Sequence, residues 1–154
     1  MAIIEMTIKQ LIGIHCEQIL TERYYYNDIP EDIIKIYIFD GSRYYGIVSA
    51  EGDVIIHTSE DSPKNVRMDD YSYQINTLET EWACNCRVAS VSYICTEWEK
   101  NGIVIYFDNG HNIAFYNTGY EDGDNDIFET DADIPKLKKK YRITIPSGSL
   151  RQGK

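Results

Sequence analysis

Between Glu121 and Asp133, 7 of 13 residues are Asp or Glu, and three of them, Asp122, Asp124 and Asp126, alternate along the stretch DGDND. Carboxylates at positions 1, 3 and 5 open an EF-hand calcium loop, which also needs Gly at position 6 and Glu at position 12. Here those positions hold Ile127 and Asp133. The EF-hand is therefore excluded, and calcium would need a looser site. Otherwise a run this acidic makes either a solvated rim or a docking surface for a cationic partner.

Other residue types that carry chemistry are present without a pattern. His15, His57 and His111 share no spacing that sets two ligands on one helix face, and His111, following the Asn109-Gly110 turn, is expected to be exposed. Cys84 and Cys86, in the stretch CNC, are expected on one face of a strand, but the second pair that a tetrahedral zinc site needs is missing. With Cys16 and Cys95 they are read as reduced core thiols. The chain has no G-x-S-x-G elbow, no phosphate-cradling glycine loop and no dinucleotide fingerprint. No catalytic residue, metal ligand or cofactor is assigned. Hydrolysis by paired carboxylates leaves little trace in sequence, so an enzyme stays as an alternative reading.

Charge narrows the partners. The net charge is -10, yet residues 1–135 hold 25 acids and 8 bases while residues 136–154 hold no acid and 7 bases. A body this negative repels nucleic acids and anionic membranes and speeds encounter with cations. The basic run KLKKKYR, 136–142, is read as exposed lysines guarding an edge strand, with a homo-oligomeric contact to another copy's acidic rim as the rival. The stretch MAIIEMTIKQ lacks the basic flank and apolar core of a signal peptide, and no long apolar run occurs, so a cytoplasmic protein is expected.

The elements that must position these residues show an internal echo. IYIFDG at 36–41 returns as IYFDNG at 105–110, EGD at 51–53 as DGD at 122–124, and Pro63-Lys64 as Pro135-Lys136. Thr7 with Gln10 is a capping box, and Asn76 with Glu79 offers the same start signal. Strands are expected near 14–25 and 84–96. Asp40-Gly41 and Asn109-Gly110, flanked by β-branched and aromatic residues, each signal a hairpin whose two central residues take positive φ. YRITIP is expected to close the last sheet.

The expected fold is mainly β, a β-rich α+β arrangement. Two similar half-units of about 70 residues, each a short helix plus about four antiparallel strands, pack as one pseudo-symmetric sandwich or partly closed barrel. The chain is read as a single domain over 1–154, with repeats at 6–75 and 76–146 and a flexible tail at 147–154.

Tyrosine adds to the acidic signal, because 13 Tyr residues exceed what a core of this size usually needs. Tyr116, Tyr120, Glu121, Asp122, Asp124 and Asp126 are therefore the expected binding face for a basic protein. In charge and size the chain resembles the small intracellular immunity proteins that neutralise cationic bacterial toxins. That likeness is one of type, with no motif to carry over, and it implies a non-enzymatic, partner-capturing function. The alternatives are a small-molecule or calcium site at the seam between the half-units, or an enzyme built on that seam.

Overall fold

Strand side chains alternate between faces, so each strand must turn its apolar half toward a shared core. In the computed structural model, which describes residues 4–146, the strands do this in two antiparallel sheets. The predicted tail, 147–154, lies outside the described residues. The larger sheet runs from edge to edge through β1 (Ile4–Met6), β6 (Asp53–Ser59), β5 (Tyr44–Ala50), β4 (Ile29–Phe39), β3 (Gln18–Tyr26), β8 (Tyr71–Thr77) and β7 (Val66–Arg67). The second runs through β12 (Asp126–Thr130), β11 (Asn112–Asn117), β10 (Lys100–Phe107), β9 (Cys86–Cys95) and β13 (Arg142–Thr144). A short β2 (His15–Cys16) pairs with the start of β9, whereas β13 pairs with its end. YRITIP thus supplies the edge of the second sheet, as its pattern predicts.

Ile19, Ile36, Ile38, Ile47 and Ile56 face inward from the larger sheet and meet Val88, Val91, Ile103, Ile105, Ile113 and Phe115 of the second. Ile8 and Leu11 close one side of this core. Each such side chain stabilises the fold by roughly 1.5–3 kcal/mol on leaving water. A second cluster forms on the outer face of the second sheet, where Leu137 and Tyr141 cover Ile94, Val104, Ala114 and Tyr116.

Both predicted hairpins form, between β4 and β5 and between β10 and β11. Their turns differ from the expectation, because only Gly41 and Gly110 take positive φ, at 104° and 90°. Asp40 and Asn109 use their side chains instead. Asp40 Oδ1 accepts from the Ser42 and Arg43 N–H groups at 2.8 and 2.7 Å, and Asn109 Oδ1 accepts from the His111 N–H at 3.1 Å.

Helical expectations need more correction. The Thr7 and Gln10 capping box is present, but it caps a 3-10 turn, Ile8–Leu11. Asn76 starts no helix. It sits in β8 opposite Thr21, so the supposed boundary at 75/76 falls inside a strand, and the next helical turn is a 3-10 turn at Glu81–Ala83. The one α-helix among the described residues, α1 (Ile134–Leu137), takes in Lys136 and Leu137, and Lys138, Lys139 and Lys140 follow it as a turn, so these lysines lie on no edge strand. Pro135 at its first turn and Asp133, whose side chain accepts the Lys136 N–H at 3.1 Å, start it.

Candidate functional site

The two sheets meet where the turn between β5 and β6 approaches the start of β10 and the loop between β11 and β12. A cleft of about 410 Å³ opens there, with Glu51, Glu99, Asp124 and Asp126 in its wall and Tyr120 at its rim. Among the described residues no lysine or arginine lines it. Its described lining therefore carries uncompensated negative charge, and four acidic residues around one space raise the potential that a cation would feel.

Asn101 is the structural centre of this wall. The pairing of β10 with β9 shifts register between Lys100 and Gly102, so Asn101 is an extra residue that a bulge turns inward. It is 3% exposed. Its Oδ1 accepts the Thr96 N–H at 3.0 Å, its Nδ2 donates to the Asn117 carbonyl at 3.2 Å, and its own carbonyl accepts the Ser49 hydroxyl at 2.5 Å. Three elements are thereby tied at one point. Gly102 lets β10 come this close to β11, since a Cβ there would lie 2.3 Å from the Phe115 carbonyl oxygen.

Asn117 continues the chain of bonds. Its Oδ1 accepts the Gly119 N–H at 2.8 Å and its Nδ2 donates to Asp126 Oδ1 at 3.1 Å. The Asp126 backbone N–H donates in turn to Asp32 Oδ2 at 2.9 Å, which joins the loop to β4. Burial pushes the Asp126 carboxyl above its ordinary value; the Asn117 hydrogen bond opposes this, and the charges of Asp32 and Asp124 add to it. Thr118 orders the rest of the loop, donating to the Asp122 carbonyl at 3.1 Å and accepting the Asn125 N–H at 3.0 Å.

The predicted binding residues separate. Tyr120 is 91% exposed, Glu121 and Asp122 share its 3-10 turn, and Asp124 and Asp126 line the cleft. Tyr116 does not belong with them. It is 7% exposed, on the opposite face of the second sheet, with its ring edge-on to Tyr141 at 5.4 Å, and burial pushes its phenol up to about 12. Sequence reading missed Glu51, Glu99 and Asn101. A signal for Glu51 existed, because EGD at 51–53 echoes DGD at 122–124, and both turns converge on this cleft.

Elsewhere the candidate residues take structural places. Cys84 is exposed at the end of a 3-10 turn, whereas Cys86 is buried at the start of β9, with Asn85 at φ 63° between them. They do not share a strand face. Cys86 instead faces Cys16 across the β2–β9 pair, and burial pushes the Cys16 thiol well above its ordinary range. His111 stacks on Trp82 at 4.5 Å and bonds to Asp131 at 2.9 Å, so it is held rather than free. Among the described residues no three His, Cys, Asp or Glu side chains are grouped to hold a metal ion. No helix among them is long and apolar enough to cross a membrane.

Compared with protein-family models, curated proteins and solved structures, the chain finds no significant match in any of the three. Geometry and charge alone carry the functional reading.

Proposed function

We propose that this chain is a non-enzymatic acidic protein, of immunity or inhibitor type, that captures a basic partner. The observation that carries this reading is the cleft walled by Glu51, Glu99, Asp124 and Asp126, with no lysine or arginine in its wall among the described residues. A lysine or arginine side chain of the partner enters it, and exposed Tyr120 contributes rigid area with a polar tip at the rim. The bonds through Asn101 and Asn117 hold the loop before the partner arrives, which lowers the ordering cost of association.

The same reading takes the chain as one domain built from a duplicated unit. Its support is the strand order, β6-β5-β4-β3-β8 in one sheet and β12-β11-β10-β9-β13 in the other. In each, four strands form a meander and a later strand returns to the first. A head-to-tail contact between copies through 136–142 would first have to displace the bond that Lys140 makes to Asp122 within the chain, at 3.4 Å.

The test is association of a lysine-rich peptide with the wild type and with the Glu51→Gln, Glu99→Gln, Asp124→Asn triple variant, across a salt series. The reading expects slower association and a flatter salt dependence in the variant. Identical kinetics in both would sink it. Affinity capture from the source cell, eluted by salt, then names the partner.

A further inference from the structure

On β3, Ile19 and Thr21 turn inward, so Leu20, Glu22 and Tyr24 turn outward. Tyr24 lies directly opposite Tyr73 on β8, and Tyr71, two residues away, shares that face. The three rings sit 5.6, 5.7 and 6.2 Å apart and are inclined to one another by 40°, 79° and 45°. They do not stack flat. They line instead a shallow, open hollow of about 280 Å³, with Ile34 as its other lining residue among those described.

Negative charge is felt at this hollow. The Tyr24 phenol is pushed up by desolvation first, then by Tyr73 and Tyr26, and then by the charges of Asp70 and Glu31. Elsewhere the chain places its own lysines over tyrosine rings: Lys35 over Tyr37 at 5.0 Å, Lys100 over Tyr93 at 4.6 Å and Lys140 over Tyr141 at 5.9 Å. Among the described residues no such cation covers Tyr24, Tyr71 or Tyr73. The negative charges of Asp70 and Glu31 are felt at Tyr24, while the Arg23 guanidinium donates to the Glu31 carbonyl and covers none of the three rings.

We propose that Tyr24, Tyr71 and Tyr73 form an aromatic cage that takes an alkylammonium group from another molecule. The cage lies on the outer face of the larger sheet, apart from the acidic cleft, and its ligand chemistry does not depend on what the cleft binds. A compact cation seated over these tyrosine rings would meet an electron-rich face, while Asp70 and Glu31 add a Coulomb attraction that no neutral group would feel.

The experiment is a titration of the whole protein, carrying 13C-labelled tyrosine, with tetramethylammonium chloride at constant ionic strength, followed by NMR of the ring resonances. Tert-butanol, similar in shape and uncharged, is the comparison. The expected result is a saturable shift of the Tyr24, Tyr71 and Tyr73 resonances in the millimolar range, with tert-butanol about tenfold weaker. Tyr73→Leu should weaken the response about tenfold, while Tyr73→Phe, which keeps the ring and the fold, retains it. A trimethyllysine amide in a second arm tells whether a protein side chain enters as readily as a free amine. No saturable shift, or equal shifts with tert-butanol, would overturn the cage. Shifts confined to Tyr120 would also overturn it and leave the cleft reading standing.

Discussion

Lys140 Nζ lies 3.4 Å from Asp122 Oδ2, so the basic run of this chain folds back onto its own acidic loop. Both side chains are more than half exposed, which makes the pair a weak contributor to stability. Its effect is on the field that an approaching cation meets. Lys140→Ala should leave the denaturation midpoint within about 1 kcal/mol of wild type. It should also raise the association rate of a lysine-rich peptide, and the gain should vanish at high salt. Stopped-flow mixing at two ionic strengths would show this, and an unchanged low-salt rate would contradict it.

Asp126 titrates against the fold. Its carboxyl is raised above the ordinary 3.8, by burial first, against the pull of Asn117 and with the push of Asp32 and Asp124. The native state therefore holds this proton more tightly than the unfolded chain does. Its contribution to stability is lost as pH rises from the ordinary value through the raised one. Asp126→Asn removes that loss and keeps an oxygen to accept the Asn117 N–H. The variant should gain on wild type as pH rises through this window and lose its advantage below it. Thermal melts of both proteins from about pH 3 to about pH 7 span the change, and a pH-independent difference would refute the assignment.

Asn101 should be costly to replace. With alanine there, the Thr96 N–H and the Asn117 carbonyl each lose a partner in a partly buried site. A loss of about 2–4 kcal/mol is expected from two unmet groups. Hydrogen exchange should also quicken through residues 117–126 if this bond orders the loop, and exchange matching wild type there would separate stability from loop order.

Gly102→Ala should destabilise for a different reason. The new Cβ would meet the Phe115 carbonyl oxygen and the Tyr116 Cβ at 2.3 Å, and neither can move without shifting β11. Chemical denaturation should register a loss of about 1–3 kcal/mol or more. A neutral result would mean that the β10–β11 pair gives way more easily than its packing implies.

What could be read in advance follows the range of the interactions involved. Asp40-Gly41 and Asn109-Gly110 announce their hairpins because turn chemistry is local, and the apolar alternation through Ile36, Ile38, Ile103 and Ile105 announces the core. Tyr116 was misplaced because its burial depends on Tyr141 and Leu137, which reach it from the far side of the acidic loop. The lysines at 136–140 pattern equally well as strand or helix, and Asp133 with Pro135 starts a helical turn whose end, at Leu137, runs into the turn at 138–140. Cys84 and Cys86 separate because Asn85 takes a left-handed backbone, which side-chain periodicity alone does not reveal. The cleft joins Glu51, Glu99 and Asp124 from three connections, and its hinge, Asn101, depends on a bulge that leaves no mark in residue type.

The larger sheet ends in Ile4–Met6 on one side and Val66–Arg67 on the other, and the second sheet ends in Arg142–Thr144 and in β12, whose first N–H is already taken by Asp32. Among the described residues these borders are short, which limits the backbone on which another chain could lay an added strand. If the chain captures a partner as proposed, that recognition would be read through side chains, so the partner's choice should follow the identity of its exposed residues and tolerate wide variation in its own fold.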